Sequence, residues 1–158
     1  MQTAEKAAKD LMKKATKADA LQSREAALQI LLAVKSNEAT KQVVVAMKDA
    51  DKGYRNAALN FASDYANQTM YIELMKVMMK AKPDVKVDIL NWIGREAKRP
   101  SQHDIIKNLE IRFDLPAKQV LLEQLNKGEY PVREAAAWTI VKIGDQSCIP
   151  ALANLLKS

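Results

Sequence analysis

A chain of 158 residues, 48% of them apolar, is one domain's worth of sequence and can bury a continuous core. Its four glycines and five prolines, against a background of alanine, lysine and leucine, favour helix over strand. No apolar run approaches the roughly 18–20 residues needed to span a bilayer, and the single cysteine, Cys148, excludes an internal disulfide framework while leaving the compartment open.

The net charge of +6 is unevenly placed: residues 1–100 carry 18 Lys and Arg against 12 Asp and Glu, whereas residues 101–158 carry seven of each. Such asymmetry can mark a surface for an acidic partner or a nucleic acid, but it reads first as a lysine-rich solvated face. The first residues lack the apolar stretch of a signal peptide. The chain begins in mid-pattern and ends at Leu155-Leu156-Lys157-Ser158 without a polar capping face, as expected of a piece of a longer polypeptide. Its location is then cytoplasmic by default, or exported if a leader has been cut away.

In chain order, helices are expected near 3–17, 21–35, 37–49, 52–66, 68–81, 84–96, 116–127, 131–143 and 147–157. The first carries a lysine stripe, Lys6, Lys9, Lys13 and Lys17, partly neutralised by Glu5 and Asp10. Arg24 opens the first repeat. A basic residue returns 31 residues later at Arg55, 31 later at Lys86, and 47 later at Arg133. The last interval is the same period with an insertion, residues 97–115. Within it Ile105, Ile106, Leu109 and Phe113 predict a short extra helix near 103–111, lying across one edge of the stack. Periods of 20–50 residues mark stacked repeats, none of which can bury its apolar face alone. The layout is an α-solenoid of four helix pairs preceded by a lone helix, forming one domain over 1–158.

The apolar pattern keeps the same register. Three residues after each basic position stand Ala27, Ala58, Ile89 and Ala136; seven after stand Leu31, Ala62, Ile93 and Ile140. These offsets share one helical face, as does the tenth, where Val34, Tyr65 and Ile143 are joined by an anomalous Glu96. Counting back twelve and eight gives the pairs Met12 and Thr16, Val43 and Met47, Leu74 and Met78, Leu121 and Leu125, extended by Leu152 and Leu156 in the last helix. Pro83, Pro116, Pro131 and Pro150 fall at or near helix starts, where a missing N–H matters least. Ser36, Asp51 and Asp145 are placed to cap helices, and Gly144 to end one.

The run Tyr130-Pro-Val-Arg-Glu-Ala-Ala-Ala-Trp-Thr-Ile-Val-Lys-Ile-Gly-Asp145, followed by Ile149-Pro-Ala-Leu-Ala-Asn-Leu-Leu156, resembles a HEAT repeat of the short kind found in phycobilin-lyase-like proteins. The resemblance is strong over 129–157, moderate over 22–49, 51–80 and 83–94, and weak over 97–115. It implies an all-α, right-handed α-α superhelix that binds other macromolecules. It also implies that Arg24, Arg55, Lys86 and Arg133 form a structural ladder between repeats. Lys86 departs from the arginine pattern and lacks its planar, multi-donor geometry.

Catalytic chemistry finds no foothold. The only histidine, His103, has no clustered ligands around it in the sequence, so neither a metal nor another cofactor is expected. HEAT-like iron hydroxylases carry paired His-Glu motifs, and this chain has no His-Glu dipeptide. Cys148 precedes Ile149-Pro150 at a helix start and reads as a small core residue, and the scattered glycines form no phosphate loop. HEAT-like DNA alkylpurine glycosylases use tryptophans in a basic cleft. Trp92, however, shares its offset with Ile30 and Phe61 and reads as core.

Trp138 stands where other repeats carry Gln29, Asn60 and Asn91, off the main apolar stripe; it is either an exposed anchor for a partner or packed on a neighbouring helix. The inner helices should present Lys14, Val45, Lys76, Glu123 and Asn154 to a concave face, with Lys41, Glu73, Lys80, Gln119 and Lys127 beside them. A phosphate-tracking groove repeats lysine or arginine more regularly than this. The expected function is a non-catalytic scaffold that binds a polar or acidic protein segment through Lys14, Lys41, Lys76, Lys80 and Trp138. A nucleic-acid-binding module and a spacer in a larger bacterial protein are the alternatives. The molecule is expected as a monomer or weak oligomer, with no membrane association.

Overall fold

The computed structural model describes residues 2–14, 21–107, 117–144 and 146–157, and among them regular structure is helical throughout, with no strand. It divides into two compact units, Met1–Ala66 and Asn67–Ser158.

The first unit holds α1 (Gln2–Lys14), α2 (Leu21–Ala33), α3 (Asn37–Ala46) and α4 (Lys52–Ala62). Helix α2 packs on α1, α3 and α4, and its Ala27, Leu28 and Leu31 are fully enclosed. The α2–α3 corner is set by backbone chemistry. Lys35 adopts φ 53°, and Ser36 N–H donates to Leu31 O at 3.0 Å, closing the end of α2. Ser36 then accepts from Glu38 N at 3.1 Å to start α3. Asp51 likewise starts α4 by accepting from Tyr54 N at 2.8 Å. Thr16 and residues 15–17 of the first expected helix lie outside the described residues.

The second unit holds α5 (Gln68–Lys80), α6 (Pro83–Ala97), α7 (Pro100–Lys107), α8 (Ala117–Lys127), α9 (Tyr130–Ile143), a 3-10 turn at Gln146–Cys148 and α10 (Ile149–Leu155). Asn67 caps α5 by accepting from Met70 N at 3.0 Å. Pro83, Pro131 and Pro150 do sit in first turns, and Gly144 ends α9 at φ 75°. Pro116 and Asp145 fall outside the described residues. Among the described residues the most extensive helix–helix packing joins α6 to α9. At Gly94 a Cβ would stand at an ordinary 3.5 Å from Thr139 Cα and a tight 3.1 Å from Lys142 Cδ, so a side chain there would require the lysine stem to shift. Across that contact Thr139 Oγ1 reaches Leu90 O at 2.8 Å.

The repeat stripe is therefore the core. Ala27, Ala58, Ile89 and Ala136 are all fully buried, and so, within a few per cent, are Leu31, Ala62, Ile93 and Ile140. Val43, Met47, Leu74, Met78, Leu121 and Leu125 are buried too, and Trp92 is enclosed against Tyr71 with ring centroids 5.3 Å apart.

Three details differ from the sequence reading. Tyr65 is 40% exposed rather than buried, while Glu96, the anomaly at the same offset, is buried and accepts from Arg99 Nη1 at 3.1 Å. The extra helix begins at Pro100, earlier than expected, packs on α5, α6 and α9, and buries Ile106; Leu109 and Phe113 lie outside the described residues. The last helix buries no residue, and Leu156 is 91% exposed, so this pair does not extend the buried stripe.

Candidate functional site

In the first unit an open cleft of about 530 Å³ is lined by residues of all four helices and of the α3–α4 corner. Apolar lining comes from Met12, Leu31 and Val45, and polar lining from Lys9, Lys13, Arg24, Glu38, Gln42, Asp49 and Tyr54. Its order starts in the α3–α4 corner. Asp49 Oδ1 accepts from Asp51 N at 2.9 Å while its Oδ2 accepts from Arg24 Nη2 at 2.6 Å. The Asp51 amide first, and Arg24 next, hold the Asp49 carboxyl below the usual carboxylate range. The Arg24 guanidinium lies 4.0 Å from the centre of the Tyr54 ring, so one side chain links α2 to both α4 and the corner. Burial pushes the Tyr54 hydroxyl up, keeping it neutral.

Two more of the cleft's charged side chains, Lys9 and Glu38, also have partners. Lys9 pairs with Glu5 at 2.7 Å, and Glu5 accepts from Ser36 Oγ at 2.7 Å, so both contacts hold its carboxyl down. Gln42 donates to Glu38 at 2.9 Å. Lys13 is exposed at the same cleft.

The residues expected on the inner face are placed as follows. The side chain of Lys14 lies outside those described. Val45 is 52% exposed and lines the cleft. Lys41, four residues before it, is exposed, with Glu38 at 3.7 Å. In the second unit Lys76 is exposed and pairs with Glu73 at 2.9 Å, Lys127 pairs with Glu123 at 3.4 Å, and Lys80 and Trp138 are exposed. Most of these lysines thus stand beside an acid one turn away, and pairs of this kind are solvated and weak.

The four repeat-register cations differ in what they touch. Arg24 reaches Asp49. Arg55, 3% exposed, donates from Nη1 to Asp49 O at 2.9 Å and to Ala50 O at 3.3 Å. Lys86 donates to Gln124 Oε1 at 2.9 Å. Arg133 keeps a buried Nε without a hydrogen-bond partner.

Sequence reasoning did not assemble Arg24, Tyr54 and Asp49 into one site. A signal existed. Six residues before the next basic position, Asp49 stands where the other repeats have Ala18, Lys80 and Lys127, and Tyr54 where they have Ser23, Val85 and Val132. Among the described residues no group of three or more His, Cys, Asp and Glu could hold a metal, and no helix is long and apolar enough to cross a membrane.

Among the described residues the structure is all-helical, with repeated helix pairs consistent with a solenoid-type fold that is HEAT-like at a coarse level, and folds of that kind are generally associated with protein–protein interaction. Residues 132–158 match the family model for the PBS lyase HEAT-like repeat. No curated protein and no solved structure matches the chain.

Proposed function

We propose that this protein is a non-catalytic scaffold whose repeats form a right-handed superhelix and whose concave face binds a polar or acidic segment of a protein partner. The observation that carries this reading is the first-unit cleft: apolar Met12, Leu31 and Val45 stand beside Lys9, Lys13 and Arg24 in one open depression. An extended peptide can bury an apolar side chain there while its carboxylates meet Lys9 and Lys13. Arg24 is committed to Asp49 and Tyr54 and shapes the cleft rather than greeting the ligand. Lys41 in the first unit, and Lys76 and Lys80 in the second, are the further contacts of this reading. The 31-residue register supports the superhelix, and the match at 132–158 supports the class.

The test is peptide binding measured by fluorescence anisotropy with an acidic and a basic peptide set, on the intact chain and on variants. Charge reversal at Lys9 and Lys13, or at Lys41, Lys76 and Lys80 together, should weaken acidic-peptide binding roughly tenfold or more. Equal binding of both peptide sets, or affinity untouched by either set of reversals, would overturn the reading. Tight binding to DNA with a steep salt dependence would replace it with a nucleic-acid module.

A further inference from the structure

The second unit leaves one helix face uncovered. Of the eight large hydrophobic side chains exposed among the described residues, five lie between Tyr130 and Leu156, and three of them, Tyr130, Trp138 and Val141, are on α9. Trp138 is 57% and Val141 53% exposed. The opposite face of α9 is the core face, where Val132, Ala135, Ala136, Thr139 and Ile140 are buried. At about 100° per residue, Tyr130, Glu134, Trp138, Val141 and Lys142 fall within an arc of roughly 120°. This is an apolar stripe carrying two charges of opposite sign.

Those charges are placed symmetrically. Glu134 is four residues before Trp138 and Lys142 four residues after it, about 12 Å apart along the helix axis. Glu134 is exposed, and the stem of Lys142 lies over Gly94 at the border with α6. Such spacing is self-complementary. When two α9 helices cross antiparallel at Trp138, Glu134 of each copy comes level with Lys142 of the other. Two equivalent ion pairs then flank a paired tryptophan core. A parallel crossing would set like charges together.

We propose that α9 is the contact surface of an isologous dimer: a second copy of this chain docks antiparallel on it, with Trp138 at the two-fold axis. Trp138 supplies the buried anchor, Tyr130 and Val141 widen the apolar area, and the Glu134–Lys142 pairs fix orientation and register.

Sedimentation across the micromolar-to-millimolar range tests it, with circular dichroism confirming that each variant is folded. The wild-type chain should pass from monomer to dimer, and Trp138→Glu should weaken association by about tenfold or more. Glu134→Lys alone and Lys142→Glu alone should each self-associate poorly, because each makes the two facing charges alike. An equimolar mixture of those two variants should form a heterodimer, and the double reversal should restore the homodimer. A wild-type chain monomeric at every concentration overturns the proposal and gives the stripe to a different partner. A dimer indifferent to Trp138→Glu, or a mixture that associates no better than its components, overturns it as well.

Discussion

Arg24 lies over the ring of Tyr54 at 4.0 Å while its Nη2 donates to Asp49 at 2.6 Å. Stack and ion pair use different parts of one planar group, the face and an edge, which is why lysine cannot substitute for it. Replacing Arg24 by Met removes the links from α2 to α4 and to the α3–α4 corner and should lower the unfolding free energy by about 1–2 kcal/mol. Arg24→Lys should recover the charge but less than half of that loss. Urea titration of the three proteins checks the order, and Arg24→Lys matching wild type would show that the planar stack contributes nothing.

Acid should dissolve the same link. The Asp49 carboxyl titrates below its ordinary value because the Asp51 amide and Arg24 favour the ionised form. A carboxylate depressed in the folded state adds stability above its unfolded value, near 3.9, and loses it as pH falls through the lower folded value. Asp49→Asn keeps an acceptor but cannot titrate. The stability difference between wild type and Asp49→Asn should be constant above about pH 5 and shrink progressively below it. A difference unchanged down to pH 2 would assign the acid sensitivity to other groups.

What could be read in advance was local or periodic. Offsets of three and seven residues located Leu31, Ala62, Ile93 and Ile140, and those side chains are buried because each helix meets its neighbours on that one face. Glu96 escaped the rule because its partner Arg99 lies one turn further on, beyond the end of the stripe. Leu156 has the right spacing, but it follows the end of a helix that buries no residue and is itself 91% exposed. The cleft was hidden for a different reason: Arg24 and Asp49 are 25 residues apart, and their meeting depends on how α2 packs on α3 and α4. No pattern within a single helix encodes that.

Among the described residues the two positive-φ positions differ in residue type and should respond oppositely to exchange. Gly144 ends α9 at φ 75°, with no atom within 4 Å of where a Cβ would stand, so crowding is absent and only backbone strain opposes a side chain. Gly144→Ala should destabilise by about 1 kcal/mol. Lys35 ends α2 at φ 53° and already bears that strain. Lys35→Gly should therefore stabilise, by up to about 1 kcal/mol after the greater flexibility of unfolded glycine is subtracted. Thermal unfolding of the two variants reads both signs; a destabilised Lys35→Gly would mean that the lysine stem contributes packing that outweighs the strain.

Tyr71 decides how the inserted helix is held. Its ring is buried against Trp92 in the core of the second unit, and its hydroxyl donates to Gln102 Oε1 on α7 at 2.7 Å. Burial, with the nearby Glu96 carboxylate adding to it, pushes the hydroxyl well up, so it stays protonated and keeps donating at any physiological pH. His103 adds a second tie, its Nδ1 standing 2.8 Å from Ala97 O, which as a carbonyl can only accept. Tyr71→Phe preserves the ring and its contact with Trp92 but leaves Gln102 without its donor. The global loss should be about 1 kcal/mol, the ordinary net value of one such bond. The informative readout is local. Amide exchange in α7 should accelerate more than exchange in α6, because α6 is anchored independently by its packing on α9, whereas α7 depends on a few side-chain ties and on Ile106. Equal acceleration in both helices would mean that α7 opens only when the whole second unit does, and that the hydroxyl contributes to a single cooperative core rather than to the seating of the insertion.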